Sequence, residues 1–532
     1  MTNNADMYGR LDTTGSALPG QNMGVVNPTL FPHEHAFPSA FEGTEDTFRS
    51  AEELAQDPAF SSRYAPLRAS LPGDPATVEE AVFDYYVDAT NGADANSGLT
   101  PATAKQTLAG IVALGSSLAG KRIGLKRGDT YREAFNVDFA GTANAPTVIG
   151  AWGTGARPII KATAVQATSG WSVYSGSVYQ GTATGISTTA GLWVDEVYGL
   201  VRMADAASIV APGQYYSTSN TLYVWMPDSS NPGSGSHVFE KRSNAASHCV
   251  LTAGHIRFED ISFRQATNSV CINTSGPSVV LRRCEVAYNM GTGVYAQGRT
   301  IIEDCEIHHN WNGKAYGAGG AGNGVLFTGS GASGIVRRCK LSENFVHILA
   351  NSSAKDVLVY RNNLWLAHVN GIDHQGAGMA AYHNFIHHRP VYHAGHGIDT
   401  QSGGTALIAK NNVVYCDLVD ASATNVQCAC INTGSGNDVD YNLYYLATAG
   451  QTNVDIGKDS SNNLYGTLAA WQAGTAYDDH SISADPLVTS LSDKNSRPTI
   501  TSPTLNAGVA VSGINDGYAG TAPDLGVYEL LT

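Results

Sequence analysis

Charge is the first scarcity. Only 14% of the 532 residues are Asp, Glu, Lys or Arg, and 31 Lys and Arg face 46 Asp and Glu, a formal net charge of −15. Gripping phosphates takes clustered cations, so nucleic acid is excluded as a partner. Long apolar runs are missing too, none approaching the roughly 18 residues of a membrane span. The opening MTNNADMYGRLDTTGSALPG has no basic stretch leading into an apolar one and does not read as a secretory signal. On that reading the signal has been trimmed or the protein leaves its cell another way. Cysteine is sparse, eight in all, confined to Cys249–Cys430. No nucleophile elbow, phosphate loop or dinucleotide fingerprint stands in a fitting context, which sets those chemistries aside.

What is present is repetition. The segments FEDISF, LRRCEV, IEDCEI, VRRCKL, VYRNNL, AYHNFI, AKNNVV and DYNLY align Ile261, Cys284, Cys305, Cys339, Asn362, Asn384, Asn411 and Asn442, in steps of 23, 21, 34, 23, 22, 27 and 31 residues. A short β-rich run returning every twenty-odd residues marks a solenoid whose coils bury their inner faces on one another. The fold class expected is all-β: a right-handed single-stranded parallel β-helix with an N-terminal capping helix and an extended N-terminal arm. Stacked about 4.8 Å apart, like residues form ladders, here three cysteines and then four asparagines whose amides satisfy one another. In-register thiols point the same way and make poor disulfides, so the cysteines read as a reduced internal ladder.

Four regions follow. Residues 1–80, with scattered Pro and Gly, form the arm; 81–130 contain a stretch with Leu108, Ile111, Val112 and Leu114 at helical spacing and form the N-terminal cap; 131–440 are the parallel β-helix; 441–532 are C-terminal coils and cap. A solenoid needs such caps because an open end exposes unpaired strand edges.

Several segments carry a resemblance. YYVDATNGADANSG, KRGDTY, VIGAWGTGARPII and PGQYYSTSNTLYVW near the start, with SPTLNAG and PDLGVYE near the end, together resemble the right-handed parallel β-helix (pectate-lyase-like) superfamily. That superfamily holds polysaccharide lyases, glycoside hydrolases, epimerases and phage tailspikes, so function has to come from the site.

Within the repeat a second ladder follows the first. SVCIN, GVYAQ, GVLFT, HILAN, GIDHQ, GIDTQ and ACINT put Val270, Val294, Val325, Ile348, Ile372, Ile398 and Cys430 on the core face, and strand alternation turns Cys271, Tyr295, Leu326, Leu349, Asp373, Asp399 and Ile431 outward. Asp373 and Asp399 are thereby expected on neighbouring coils, one above the other. Two carboxylates that close repel, so one keeps its proton while the other stays ionised, the pairing that glycosidic cleavage uses. A cation held between them, or each Asp bonding its own turn, are the alternatives. Ten of the sixteen histidines lie between His308 and His396; His374 and His396 join the aspartates as catalytic candidates, and His368 and His393 as substrate contacts. Tyr295, Arg389 and, in the Gly-rich insertion HHNWNGKAYGAGGAGNG, Trp311, Lys314 and Tyr316 are further substrate-binding candidates. Lyase chemistry would instead ask a base such as Tyr295, His374, Lys314 or Arg389 to take a proton beside a uronate. Zinc on His383, His387, His388, His393 and His396 is disfavoured, since i and i+4 on a strand lie about 13 Å apart. No cofactor is required, calcium being the one with a place in lyase chemistry.

Among the superfamily's members the missing signal, reduced cysteines and long arm fit a tailspike best. What the resemblance then implies is a homotrimer made in a host cytoplasm and carried on a virion tail, joined to other tail proteins through the arm, which binds and depolymerises host surface polysaccharide. A secreted lyase or hydrolase and a non-catalytic adhesive spike are the alternatives.

Overall fold

The runs VVLR, TIIE, GIVR and DVLVY are apolar at both alternating positions, the pattern of strands covered on both faces. In the computed structural model they lie in register in the first of three sheets. The structure describes residues 82–530 apart from 187–190, 196–197, 235–236, 243–248, 253, 267–269, 311–321, 391–394, 401–402, 418–427, 448–453, 516–517 and 519. Each coil contributes one strand to sheet I (such as Val279–Arg282), one to sheet II (Glu285–Ala287) and one to sheet III (Thr292–Ala296). The three sheets have 11 strands each. Parallel pairing runs from coil to coil, as in Leu281 with Ile302, Ile302 with Val336 and Val336 with Val359. Those side chains fill the interior. No helix among the described residues is long and apolar enough to cross a membrane.

The corner between sheets I and II explains the first ladder. Asp260, Arg283, Asp304, Arg338, Arg361, His383, Asn411 and Tyr441 all adopt φ between 51° and 61°, a left-handed conformation that is costly for side-chain-bearing residues. The residue after each turns inward, and from Cys305 onward its thiol or amide receives a main-chain N–H of the preceding coil. The Asn362 amide Oδ1 accepts from Cys339 N (2.9 Å), Asn384 Oδ1 from Asn362 N (3.1 Å), Asn412 Oδ1 from Asn384 N (3.0 Å) and Asn442 Oδ1 from Asn412 N (3.0 Å). The rung is therefore Asn412, and the expected Asn411 is corrected by one residue: it occupies the left-handed position, which Asn also tolerates. Cys284, Cys305 and Cys339 continue the stack as free, buried thiols.

Helix Leu108–Val112, N-capped by the Thr107 hydroxyl, buries Leu108 and Ile111 over the first coils. Helix Leu468–Thr475 covers the other end with the fully buried Trp471. Gly457 lies directly beneath that indole; a Cβ there would come within 2.3 Å of the ring.

Two regions depart from the expected layout. Thr163–Arg242 interrupts the solenoid with a four-stranded and a five-stranded sheet, mostly antiparallel, around a core of their own. PGQYYSTSNTLYVW forms a hairpin there, Gln214–Ser217 with Thr221–Val224, rather than an opening coil. After Asp485 the chain turns back along the outside: Val511 and Ile514 cover Val280, Ile301, Ile335 and Leu358 of sheet I, and Leu525 and Val527 cover Trp365, Phe385, Val413 and Leu443 of sheet II. The both-faced hydrophobicity of these strands thus has two buried partners.

Candidate active site

Strands Ile372–His374 and Gly395–Asp399 pair in parallel, Ile372 with Ile398 and Asp373 with Asp399. Both carry a G-I-D sequence for a steric reason. A Cβ on Gly371 would meet the Gly397 carbonyl oxygen at 2.6 Å, and one on Gly397 would meet Val414 at 2.4 Å. The glycines let the chain pass close over its neighbours, and the next outward residue is the aspartate.

The outward row of sheet III is Asn273, Tyr295, Leu326, Leu349, Asp373, Asp399, Asn432 and Lys458. Its middle matches expectation; its ends do not. Ile272 and Ile431 take the core positions expected of Val270 and Cys430, so Asn273 and Asn432 replace Cys271 and Ile431 on the outer row.

One amide holds the pair. Asn370 Nδ2 donates to Asp373 Oδ2 (3.0 Å) and to Asp399 Oδ2 (2.9 Å), while its Oδ1 accepts from His396 N (2.9 Å). The main-chain donor fixes which end of the amide faces the carboxylates. Two bonds to one nitrogen keep those oxygens within about 6 Å, short of the roughly 6.5–9.5 Å of inverting pairs. Gln375 Nε2 contacts both Asp373 oxygens at 3.2 Å. Asp399 additionally receives Asn432 Nδ2 at 2.9 Å and lies 3.2 Å from His396 Nδ1. Burial, and secondly the charge of Asp399, push the Asp373 carboxyl up to about 8. Asp373 is thus the member of the pair that holds its proton. Both are nearly enclosed, at 4% and 5% exposure, a setting in which charge developing in a transition state is strongly felt.

Of the histidines, His396 belongs to this group, and its Nε2 is buried without a protein partner. His374 does not. It lies on the inward row with Ala350 and Phe327, fully buried, its Nε2 3.0 Å from the Thr405 carbonyl oxygen, so alternation places it on the opposite face from Asp373. His368 is buried near His347, and His347 and His388 are pushed down to about 3, chiefly by burial and also by neighbouring imidazoles. His383 ties down the returning tail, 3.2 Å from the Gly526 carbonyl oxygen, which removes it from the zinc set. No group of three or more His, Cys, Asp or Glu among the described residues is placed to hold a metal. Arg389 is engaged by Asp417 through two nitrogens. Tyr295 is half-buried on the outer row, three rungs before Asp373, about 14 Å away. Trp311, Lys314, Tyr316 and His393 lie outside the described residues. Asn370, Gln375 and Asn432 are additions the sequence reading missed, although a polar residue precedes G-I-D in both repeats, Asn370 in one and His396 in the other.

Residues 249–458 match the family model described as right handed beta helix region. No curated protein sequence matches the chain. Among solved structures, one titled glycoside hydrolase is similar over 78% of this chain and 99% of its own at 12% identity, with a TM-score of 0.55. A pectate lyase, Pel9A, is similar over 84% of this chain and 96% of its own at 15% identity and TM-score 0.47, and a rhamnogalacturonan lyase over 72% and 89% at 12% and 0.43. The chain has the right-handed parallel β-helix fold that the family model describes.

Proposed function

We propose that the protein hydrolyses a polysaccharide at the Asp373–Asp399 pair. The observation that carries this is the shared donor: Asn370 holds two buried carboxylates side by side, one of them protonated at neutral pH. In the reaction Asp373 gives its proton to the glycosidic oxygen as that bond breaks, and Asp399 attacks the anomeric carbon. Water, deprotonated by Asp373, then releases the sugar with retained configuration. The similar structure titled glycoside hydrolase supports a carbohydrate-active enzyme. The tail setting, the trimer and an attachment role for residues 1–80 rest on the family resemblance alone.

Incubation with candidate polysaccharides, reading both reducing ends and the ultraviolet absorbance of unsaturated uronate, tests the reading. Asp373→Asn and Asp399→Asn should each cut reducing-end release at least about a hundredfold, and the double variant should lose little more, since the two act as one unit. Parent rates in both single variants would make the pair structural. Unsaturated product would move the protein to the lyases.

A further inference from the structure

The lobe at Thr163–Arg242 carries a second constellation that glycan hydrolysis does not use. His237 Nδ1 lies 2.7 Å from Asp195 Oδ2, and His237 Nε2 lies 3.2 Å from the Ser230 hydroxyl. Asp195 is itself fixed. Its other oxygen accepts from Val238 N at 2.9 Å, and its own N–H bonds the Val238 carbonyl at 2.9 Å. A carboxylate on Nδ1 holds the ring in the tautomer whose Nε2 accepts, the state that can draw a proton from a serine. Ser230 follows Ser229, whose φ is 60°, on a turn where Asp228 Oδ1 receives the Ser230 N–H at 2.9 Å. The imidazole is accessible, with 17% of its side chain exposed. Beside it opens a cavity of about 490 Å³ lined by Ser169, Trp171, Asn231, Gly233, Ser234 and His237. Asn231, next after Ser230, lines that cavity, its Oδ1 accepting from Gly233 N at 2.8 Å.

We propose that Ser230, His237 and Asp195 form a serine-hydrolase triad that removes an acyl group, such as acetyl, from an ester. Ser230 Oγ bonds to the ester carbonyl carbon while its proton passes to His237 Nε2. The carbon–oxygen bond to the alcohol then breaks, and that proton leaves with the alcohol oxygen. Water repeats the sequence on the acyl-serine, releasing the carboxylic acid and restoring the hydroxyl. That the alcohol is a sugar hydroxyl rests on the glycan reading above; the acyl chemistry does not. Trp171 forms part of the cavity wall. The lobe also meets the solenoid at the sheet II–III corner, where Trp193 Nε1 donates to the Tyr288 carbonyl at 3.0 Å.

The test uses the full chain with a fluorophosphonate probe, mapped by mass spectrometry, and with p-nitrophenyl acetate. The expected result is one adduct, on Ser230, with ester hydrolysis falling at least about a hundredfold in Ser230→Ala and in His237→Ala while reducing-end release from glycan stays at the parent rate. Ser230 left unlabelled under conditions that label a control serine esterase, or ester hydrolysis unchanged in Ser230→Ala, would overturn the triad. Labelling of Ser230 in a chain that cleaves no glycan supports the triad and overturns only the sugar as its alcohol.

Discussion

The two inward-turning corners of each coil are built from the same parts and end in different work. At the sheet I–II corner a left-handed residue is followed by a buried amide, and from Asn362 to Asn442 each amide bonds its neighbour's main chain. At the sheet II–III corner the pattern starts identically: Tyr288, His309 and Glu343 have φ of 58°, 54° and 54°, and Asn289, Asn310 and Asn344 follow them, bonded in sequence. There the ladder stops. In the next coil Ala367 follows the left-handed Leu366, and sheet II gains a rung in which Ala367 pairs with His388 and His388 with Cys416. That same coil carries Asp373 and the next carries Asp399, and the amide nearby, Asn370, spends its donors on their carboxylates. One corner stays regular and lies under the returning tail; the other is where the lobe leaves the coil. The regular amides close hydrogen bonds from coil to coil, whereas the interruption leaves Asn370 bonded to two carboxylates.

The largest effect that would break this contrast is at Asn370. Asn370→Ala should slow glycan cleavage by about a hundredfold, the cost of misplacing reacting groups, and, because it strands the His396 N–H, should also cost about 1 to 3 kcal/mol of stability. Because the Asn370 bond draws the Asp373 carboxyl downward, removing it should also move the alkaline limb of the rate profile to higher pH. An unchanged profile would make Asn370 merely another rung. Next is Asn384→Leu at the other corner. It strands the Asn362 N–H and the Val359 carbonyl, which Asn384 Nδ2 now reaches at 3.0 Å, and should cost about 1 to 3 kcal/mol by denaturant titration while cleavage by the folded enzyme persists. A midpoint equal to the parent's would show that the amide stack contributes nothing to stability.

How far the sequence reveals this differs by element. The solenoid and its inward cysteines and asparagines are legible because each coil repeats a local run at one offset. Asn411 was mistaken for Asn412 because the bend accepts Asn at both of two adjacent positions, left-handed and inward, and a doublet gives the spacing no means of choosing. Asp373 and Asp399 were legible through the repeated G-I-D. The ends of their row slipped at SVCIN and ACINT, which lack that G-I-D marker. The lobe has no period to betray it. The tail's contacts join residues about a hundred positions apart, such as Asn411 with Val509, beyond any local pattern. His374 was misassigned because its chemistry suited the site while its parity on the strand did not.

The smallest effect concerns Asp373 as a stability element. Its carboxyl, ordinarily near 3.8, sits at about 8 in the folded chain, chiefly through burial and then through Asp399. The folded state therefore keeps a proton that the unfolded chain gives up. The contribution of this group to stability is fully present below about pH 4 and is lost progressively as pH rises toward 8. An asparagine at 373 imitates the protonated acid without titrating: its oxygen still accepts from Asn370 and Gln375, and its N–H₂ can donate toward Asp399. Asp373→Asn should thus be more stable than the parent at pH 8.5 by at least about 1 kcal/mol, the worth of roughly one pH unit of linkage, with the gap closing by pH 4.5, while cleavage is lost. Thermal melts of both chains at the two pH values read this directly. A gap of equal size at both would mean that Asp373 does not titrate differently on folding, and the protonated acid on which the hydrolytic reading depends would go with it.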